Sequence, residues 1–332
     1  MVITVGSADT RLRDPALAFG TVAEGKAFIG RRTKRRDAIN PVSERTVRLF
    51  SALIEDGNPL YWHGAFCPPA LLLSFDFRYP WHPDPGVDLR PSRIFREVPL
   101  PGHFIVNVET DSEYVRRIRV GDVVSLEGVV EDVSDTKVTR LGSGNFIRSK
   151  TSYFDSAGRL LATNTNVLFR YDPHDVAPAA SLGGRPTSSE GPQTNAPLQL
   201  SAATPGMRLL EADVHVSFER ICQVTATTGD WYPGHYSSAF AKSQGQPTIF
   251  ASTLHLHGLI DRYVTDLFGP DAFVHRRRMH MRSSVYADTE ARLRAEVAGV
   301  DPQSGRVRVT LRIESDDRVC VTAEVTVGEF DE

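Results

Sequence analysis

The sequence predicts an α+β protein made of two similar units, each a long apolar helix wrapped by four or more antiparallel strands. Three observations support this. A chain of 332 residues is long enough for about two ordinary domains. The same order of helical and strand-like segments recurs with a period of about 170 residues, far longer than a solenoid repeat. Between the two occurrences, PHDVAPAASLGGRPTSSEGPQTNAPLQL is rich in Pro, Gly, Ser and Ala and has no apolar periodicity. Such a stretch buries too little surface to offset its ordering entropy. The expected boundaries are a first unit at 1–172, a linker at 173–200 and a second unit at 201–332.

The first unit has a helix expected at 42–55, where Val47, Phe50, Leu53 and Ile54 recur at helical spacing. A turn, DGNP, and an apolar segment, PPALLLSFDF, follow. Four strand-like runs then alternate or carry β-branched residues: HFIVNVETD, DVVSLEGVVEDVS, GNFIRSKTSYFD and RLLATNTNVLFRY. The second unit repeats the order. VSFERICQVTATT reads as a helix, GDWYPGH as a turn and TIFASTLHLHGLIDRYVTDLFG as a long apolar helix. VHRRRMHMRSSVYAD, EARLRAEVAGVD, RVRVTLRIES and RVCVTAEVTVGEF close the chain as strands. Gly121-Asp122 before one alternating strand matches Ala287-Asp288 before another, which is the pattern of a duplicated domain.

Composition narrows the function classes. With 41% hydrophobic and 24% charged residues the chain can bury a sizeable core. Lys+Arg 38 against Asp+Glu 41 leaves a charge of -3, without the basic excess of a nucleic-acid binder. Three dispersed cysteines, Cys67, Cys222 and Cys320, form neither a disulfide framework nor a C-x-x-C metal knuckle. The first residues lack the apolar core of a signal peptide, and no predominantly apolar run reaches the roughly 18 residues of a membrane span. A cytoplasmic protein without membrane or nucleic-acid partners is expected.

The two turns align with each other. Asp56-Gly57-Asn58-Pro59-Leu60-Tyr61 lies against Asp230-Trp231-Tyr232-Pro233-Gly234-His235, with Asp on Asp and Pro on Pro, each 174 positions apart. Together the halves spell D-x-N-P-x-H, with Asn only in the first and His only in the second. A lone Asp before a turn is ordinarily a cap or turn former; recurrence at the duplicated position favours a site instead.

These residues resemble the MaoC-like, (R)-specific enoyl-CoA hydratase group of the hot-dog fold, in its fused double-hot-dog form. ATTGDWYPGHYSSAFAKSQGQPTIFAS and GLIDRYVTDLFGP are similar to the smaller subunit of actinobacterial steroid side-chain hydratases. EDGNPLYW and CPPALL are similar to the degenerate partner half. The resemblance implies a hydratase or dehydratase of 2-enoyl and 3-hydroxyacyl thioesters, with Asp230 and His235 as the catalytic pair. It also implies that the two sheets join edge to edge. Two departures are Tyr232 where Asn is usual, and Ser252 where small or Asn residues occur. A carboxylate and an imidazole five residues apart across a Pro-containing turn can converge on one water. The N-terminus of the following helix, near Ala251, Ser252 and Thr253, offers backbone N–H groups and a positive dipole end for the thioester oxygen. Ser252 and Thr253 are therefore the expected thioester-binding residues, and Tyr232, Pro69 and Leu71 the expected acyl-pocket residues. Tyr61 is no near-neutral base, with an ordinary pKa of about 10, so no second active pair is expected at Asp56/Tyr61.

Other features carry less. His255 and His257, two apart on the long helix, point to different faces and do not share a metal; no metal site is expected. Of Arg276-Arg277-Arg278, the alternate arginines Arg276 and Arg278 are candidates for the phosphates of coenzyme A, or else a solvated edge. The basic run Arg31 to Arg36 reads as a surface loop. No cofactor of the protein's own is expected, since coenzyme A or phosphopantetheine enters with the substrate. The expected partner is therefore an acyl-CoA or acyl-carrier-protein thioester, with a homodimer as a further expectation. Carrier-protein substrates of secondary metabolism and a non-catalytic acyl-CoA-binding protein are the alternative readings.

Overall fold

The structure is a computed structural model and describes residues 17–79, 81, 83–84, 86, 93–173 and 197–330. Most of the expected linker, residues 174–196, lies outside the described residues. Among them the strands are β1 (Arg36–Asp37), β2 (Phe104–Tyr114), β3 (Ser125–Val133), β4 (Lys137–Thr139), β5 (Gly142–Phe154) and β6 (Leu160–Pro173) in the first half. The second half contributes β7 (Ala212–Val216), β8 (Phe273–Met281), β9 (Thr289–Val300), β10 (Val307–Ser315) and β11 (Arg318–Gly328). The helices are α1 (Val22–Lys26), α2 (Glu44–Leu53), α3 (Pro59–Trp62), α4 (Phe218–Thr228), α5 (Ser238–Ser243) and α6 (Thr253–Phe268). The strands at 104–173 and 273–328 fall where alternation places them. No described helix is long and apolar enough to cross a membrane.

The strands form one sheet in the order β1-β3-β5-β6-β2-β8-β11-β10-β9-β7, with β4 paired to β5. The halves meet at an antiparallel β2–β8 seam running from Glu109 opposite His280 to Glu113 opposite Arg276. Each half alone would expose β2 or β8 as a bare edge with unpaired N–H and C=O groups; pairing them removes both edges. On one face of the seam Arg276 makes two hydrogen bonds to Asp111 and Arg278 pairs with Glu109. On the other face, buried against α6, Arg277 bonds Asp261 and the Tyr114 hydroxyl, and the Thr110 hydroxyl lies 2.8 Å from a His257 ring nitrogen.

Helix α6 begins at Ser252, whose hydroxyl accepts the His255 N–H as N-cap. It is buried along almost its whole length, with His255, His257, Asp261 and Arg262 among its apolar residues, as expected for a helix enclosed by its sheet. Gly258 is where α2 approaches: a Cβ there would lie 2.9 Å from side-chain atoms of Phe50 and Ile54. The structure differs from expectation in the first half, where the place of a long helix is taken by the 3₁₀ segment Pro69–Asp76. The physical reason is local. Pro68-Pro69 opens the segment and only a short apolar run follows, so a multi-turn α-helix has neither length nor a capping side chain. Its buried leucines pack on α6 instead, and Asp76 ends it in ion pairs with Arg36 and Arg93. The double-hot-dog arrangement is kept, with one long helix serving the shared core.

Candidate functional site

The turn after α4 is set by backbone chemistry. Gly229 caps the helix in the left-handed conformation (φ 74°), which suits a residue without a Cβ. Asp230 follows, its N–H donated to the Thr225 carbonyl. Pro233 starts a 3₁₀ turn, Pro233–His235, which brings His235 back over Asp230. Gly234 has no room for a side chain: a Cβ would sit 2.7 Å from Gln244 Nε2 and Tyr232 Cε1. Asp230 and His235 are both buried, and His235 Nε2 lies 3.8 Å from Asp230 Oδ2.

The other ring nitrogen fixes the imidazole. His235 Nδ1 is 2.8 Å from the Phe250 carbonyl oxygen, which only accepts, so Nδ1 carries the proton and Nε2 presents a lone pair. Burial pushes the His235 pKa below the ordinary histidine value, against the pull of Asp230 and the Phe250 carbonyl. The ring is therefore neutral at neutral pH. A water at the apex of the 3.8 Å base would be about 2.8 Å from both groups, within hydrogen-bonding distance of each.

The pair opens into a cleft of about 320 Å³ between the two halves. The first half lines it with Phe95, Ile105, Val106, Val108, Leu141 and Leu168, and the second with Tyr232, Gln246, Phe250, Thr253 and Tyr286. A β-bulge helps to aim the first wall. Asn107 pairs with Leu168 and Glu109 with Val167, leaving Val108 as the extra residue of β2. The Phe250 carbonyl and this β2 wall carry no motif. Long-range pairing places them, β2 against β6 and β8 and Phe250 in a bridge to Tyr286, so local sequence pattern misses them.

The expected site residues divide. Tyr232 lines the cleft, its hydroxyl donating to Gln244 Oε1 at 2.7 Å and its ring edge-on to His235. Thr253 also lines it, and the N–H groups of Thr253 and Leu254 precede the first intrahelical bond, Leu256 N–H to the Ser252 carbonyl. Ser252 does not line the cleft, because its hydroxyl is spent on the helix cap. Pro69 and Leu71 do not reach it either. Leu71 is in the hydrophobic core, and Pro69 faces a separate pocket of about 20 Å³, because the 3₁₀ segment turns its apolar side onto α6. Arg276 and Arg278 are also displaced from their expected role. Strand alternation puts them on the face away from α6, where Asp111 and Glu109 neutralise them.

The first-half counterpart of the pair is closed. Tyr61 lines the pocket of about 20 Å³, buried with a pKa raised well above its ordinary value by burial and by Asp56. Asp56 is pushed up to about 6, first by burial and then by Asp266 and Asp261, although its side chain accepts the Asn58 N–H. A carboxyl raised in the folded state binds its proton more tightly there, so its contribution to stability is greatest at low pH. It falls as pH rises from the unfolded value to about 6. Asp56→Asn is expected to stabilise the protein by about 1–3 kcal/mol at pH 7, and to have little effect at pH 3, one pKa unit being worth about 1.4 kcal/mol. Urea midpoints of both proteins at the two pH values measure this. Equal midpoints at pH 7 would contradict it.

The remaining histidines stand apart. His257 faces Thr110 across the seam, whereas His255 is pushed down to about 3 by burial, with Arg220 and His235 adding to the shift. Among the described residues no group of three His, Cys, Asp or Glu side chains gathers as a metal site.

Comparison with known proteins agrees with this fold. Residues 27–164 match the FAS1-like dehydratase domain region family. A probable enoyl-CoA hydratase alpha subunit of Thermomonospora curvata is 26% identical over 162 residues, covering 45% of this chain and 51% of that protein. The chain thus spans about half the length of this relative. The 3-oxo-4,17-pregnadiene-20-carboxyl-CoA hydratase beta subunit of Mycobacterium tuberculosis is 30% identical over 109 residues, 33% of this chain and 84% of the relative. Two solved structures share the fold. One MaoC-like dehydratase has a TM-score of 0.71 at 16% identity, covering 92% of this chain and 100% of its own. A MaoC-like dehydratase from Phytophthora capsici has a TM-score of 0.64 at 16% identity, with 92% and 98% covered. With a duplicated α+β unit, a continuous seam-joined sheet and a 30% identical hydratase subunit matched over 84% of its length, the chain belongs to the MaoC-like hydratase/dehydratase family in its double-hot-dog form.

Proposed function

We propose that this protein adds water to 2-enoyl thioesters, or removes it from 3-hydroxyacyl thioesters, through Asp230 and His235. The observation that carries the reading is the buried 3.8 Å pair whose imidazole has its Nδ1 proton committed to the Phe250 carbonyl. His235 Nε2 takes a proton from a water held with Asp230, and the hydroxyl adds to Cβ. The enolate oxygen is received by the first-turn N–H groups of α6, Thr253 and Leu254, at the positive end of the helix dipole. The imidazolium, stabilised by Asp230, returns the proton to Cα, so water is added without net acid or base. Both new bonds form from one side, because one pair handles both.

The test uses crotonyl-CoA and a bulkier enoyl-CoA, following loss of the enoyl absorbance. Turnover supports the reading; binding of both without turnover favours an acyl-CoA-binding protein instead. The apolar wall from the first half is the acyl side in this reading. Val108→Trp is expected to lower kcat/KM for a long or branched enoyl thioester by about tenfold or more, a few methylenes being worth about 1–3 kcal/mol each. Crotonyl turnover should change by no more than about threefold on the same grounds. A uniform loss across chain lengths would place the acyl group elsewhere.

A further inference from the structure

We infer that Tyr232 and Gln244 are positioning residues, a buried clamp that holds the His235 imidazole over Asp230. The inference rests on the hydratase reading above and deepens it. It starts from a difference between the duplicated turns. In the first half Asn58 caps its own turn, its side chain accepting the Leu60 N–H two residues on, the usual service of Asn in a turn. The counterpart 174 positions later is Tyr232, whose side chain makes no cap hydrogen bond to the turn Pro233–His235. A long-range bond holds the second turn instead. The Tyr232 hydroxyl donates to Gln244 Oε1 at 2.7 Å, twelve residues along the chain.

The pair is packed around the base. Tyr232 is 9% exposed and Gln244 1%. The Tyr232 ring stands edge-on to His235, with ring centres 5.4 Å apart, and edge-on to Phe240 at 5.5 Å. Phe250 is likewise edge-on to His235 at 5.0 Å. The backbone of Gly234 lies against the same side chains: a Cβ there would be 2.7 Å from Gln244 Nε2 and from Tyr232 Cε1, and 3.0 Å from the Phe250 ring. Gln244 is anchored in turn by the end of α5, where its N–H meets the Phe240 and Ala241 carbonyls. Its Nε2 is buried with no hydrogen-bond partner among the described residues. A buried carboxamide satisfied on one side only costs stability, so stability alone does not account for Gln244, whereas its bond to the Tyr232 hydroxyl does.

The hydrogen bond from Nδ1 to the Phe250 carbonyl fixes one atom of the imidazole and leaves the ring able to pivot about it. The flanking rings remove that pivot, and the bond to Gln244 keeps the Tyr232 ring from swinging into the cleft that it lines. Nε2 then stays 3.8 Å from Asp230 Oδ2, the spacing at which one water meets both groups. A misplacement of about 1 Å costs about 10²-fold in rate. The same rings shield the imidazole from solvent. The titratable groups acting on His235 are Asp230 in its own turn and His255 on α6, itself pushed down to about 3; the clamp adds no charge of its own.

The experiment compares Tyr232→Phe, Gln244→Met and the double variant with the wild type. It follows crotonyl-CoA hydration across pH, thermal unfolding, and the NMR titration of His235 in the substrate-free protein. Each single variant is expected to lower kcat about 10- to 100-fold, as a misplaced base does, with KM changed less than about threefold. The double variant should lose no more than either single one, because the two groups act as a unit. Its Tm should stay within about 2 °C of wild type or rise, since both buried polar partners leave together. The acid limb of kcat/KM and the His235 titration should both move up towards about 6.5, the ordinary value, as solvent reaches a loosened ring. Gly234→Ala, which wedges the two side chains apart without removing a polar group, should reproduce the loss in kcat. Wild-type kcat and titration in the double variant would overturn the clamp, as would single losses that multiply in the double. So would a loss confined to KM, which would make Tyr232 a substrate contact only. A wild type that turns over no enoyl thioester would refute the hydratase reading. The NMR titration then decides the clamp alone, and a His235 pKa unmoved in every variant overturns it.

Discussion

His235→Ala and Asp230→Ala are each expected to lower kcat/KM for a 2-enoyl thioester by about 10²–10⁴-fold, the usual worth of a positioned acid–base group. Folding should survive, because both residues lie on a turn at the cleft wall and not in the packed core. Tyr61→Phe, at the equivalent place in the first half, should leave turnover unchanged, since that pocket has no room for substrate. The pH profile adds an independent readout. The base is active only when neutral, so the rate falls as pH drops through the His235 pKa. Because burial lowers that pKa, the acid limb should lie below about 6.5, the ordinary histidine value. Near-full turnover by His235→Ala would remove the pair from the mechanism, as would an acid limb above 6.5 that vanished in no variant.

Asp261→Ala is expected to cost about 3–5 kcal/mol of stability, because it strands the buried Arg277 charge at the centre of the seam. Burial opposes charge on both partners. The pull of Arg277 on Asp261 does not offset that cost, whereas Asp261 and Tyr114 keep Arg277 firmly protonated. The loss should extend beyond the pair. The Tyr114 hydroxyl, which accepts from Arg277, also donates to the Pro69 carbonyl, so the same cluster ties β8, α6, β2 and the 3₁₀ segment together. In thermal unfolding this corresponds to a Tm lowered by roughly 4–7 °C for a chain of this size. The double replacement Asp261→Leu/Arg277→Met should recover most of it, since an apolar pair has no charge to strand. A single variant within about 1 kcal/mol of wild type would mean that water reaches Arg277 in its place.

The strand-rich ends of both halves were legible because alternation is a local, two-residue pattern, and β9 to β11 carry it almost without interruption. The turn Asp230 to His235 was legible through its duplicate at Asp56 to Tyr61, and the short distance between the groups in sequence keeps them close in space. What the local pattern misjudged was length and packing in PPALLLSFDF. Its hydrophobicity suits a core, but Pro68-Pro69 and the missing cap limit it to a 3₁₀ segment. Leu71 consequently packs in the core and does not line the cleft.

The sequence by itself determined the duplicated α+β architecture, the long buried helix and the closeness of Asp230 to His235, because each is written in contiguous or regularly spaced residues. Tertiary structure alone decided the rest. Which face Arg276 and Arg278 take depends on strand parity across the seam, which sets them against Asp111 and Glu109. The tautomer of His235 depends on a carbonyl fifteen residues away at Phe250, and the apolar wall on the β2 bulge at Val108. These are contacts between segments that no local pattern brings together, and their chemistry exists only once the chain has folded.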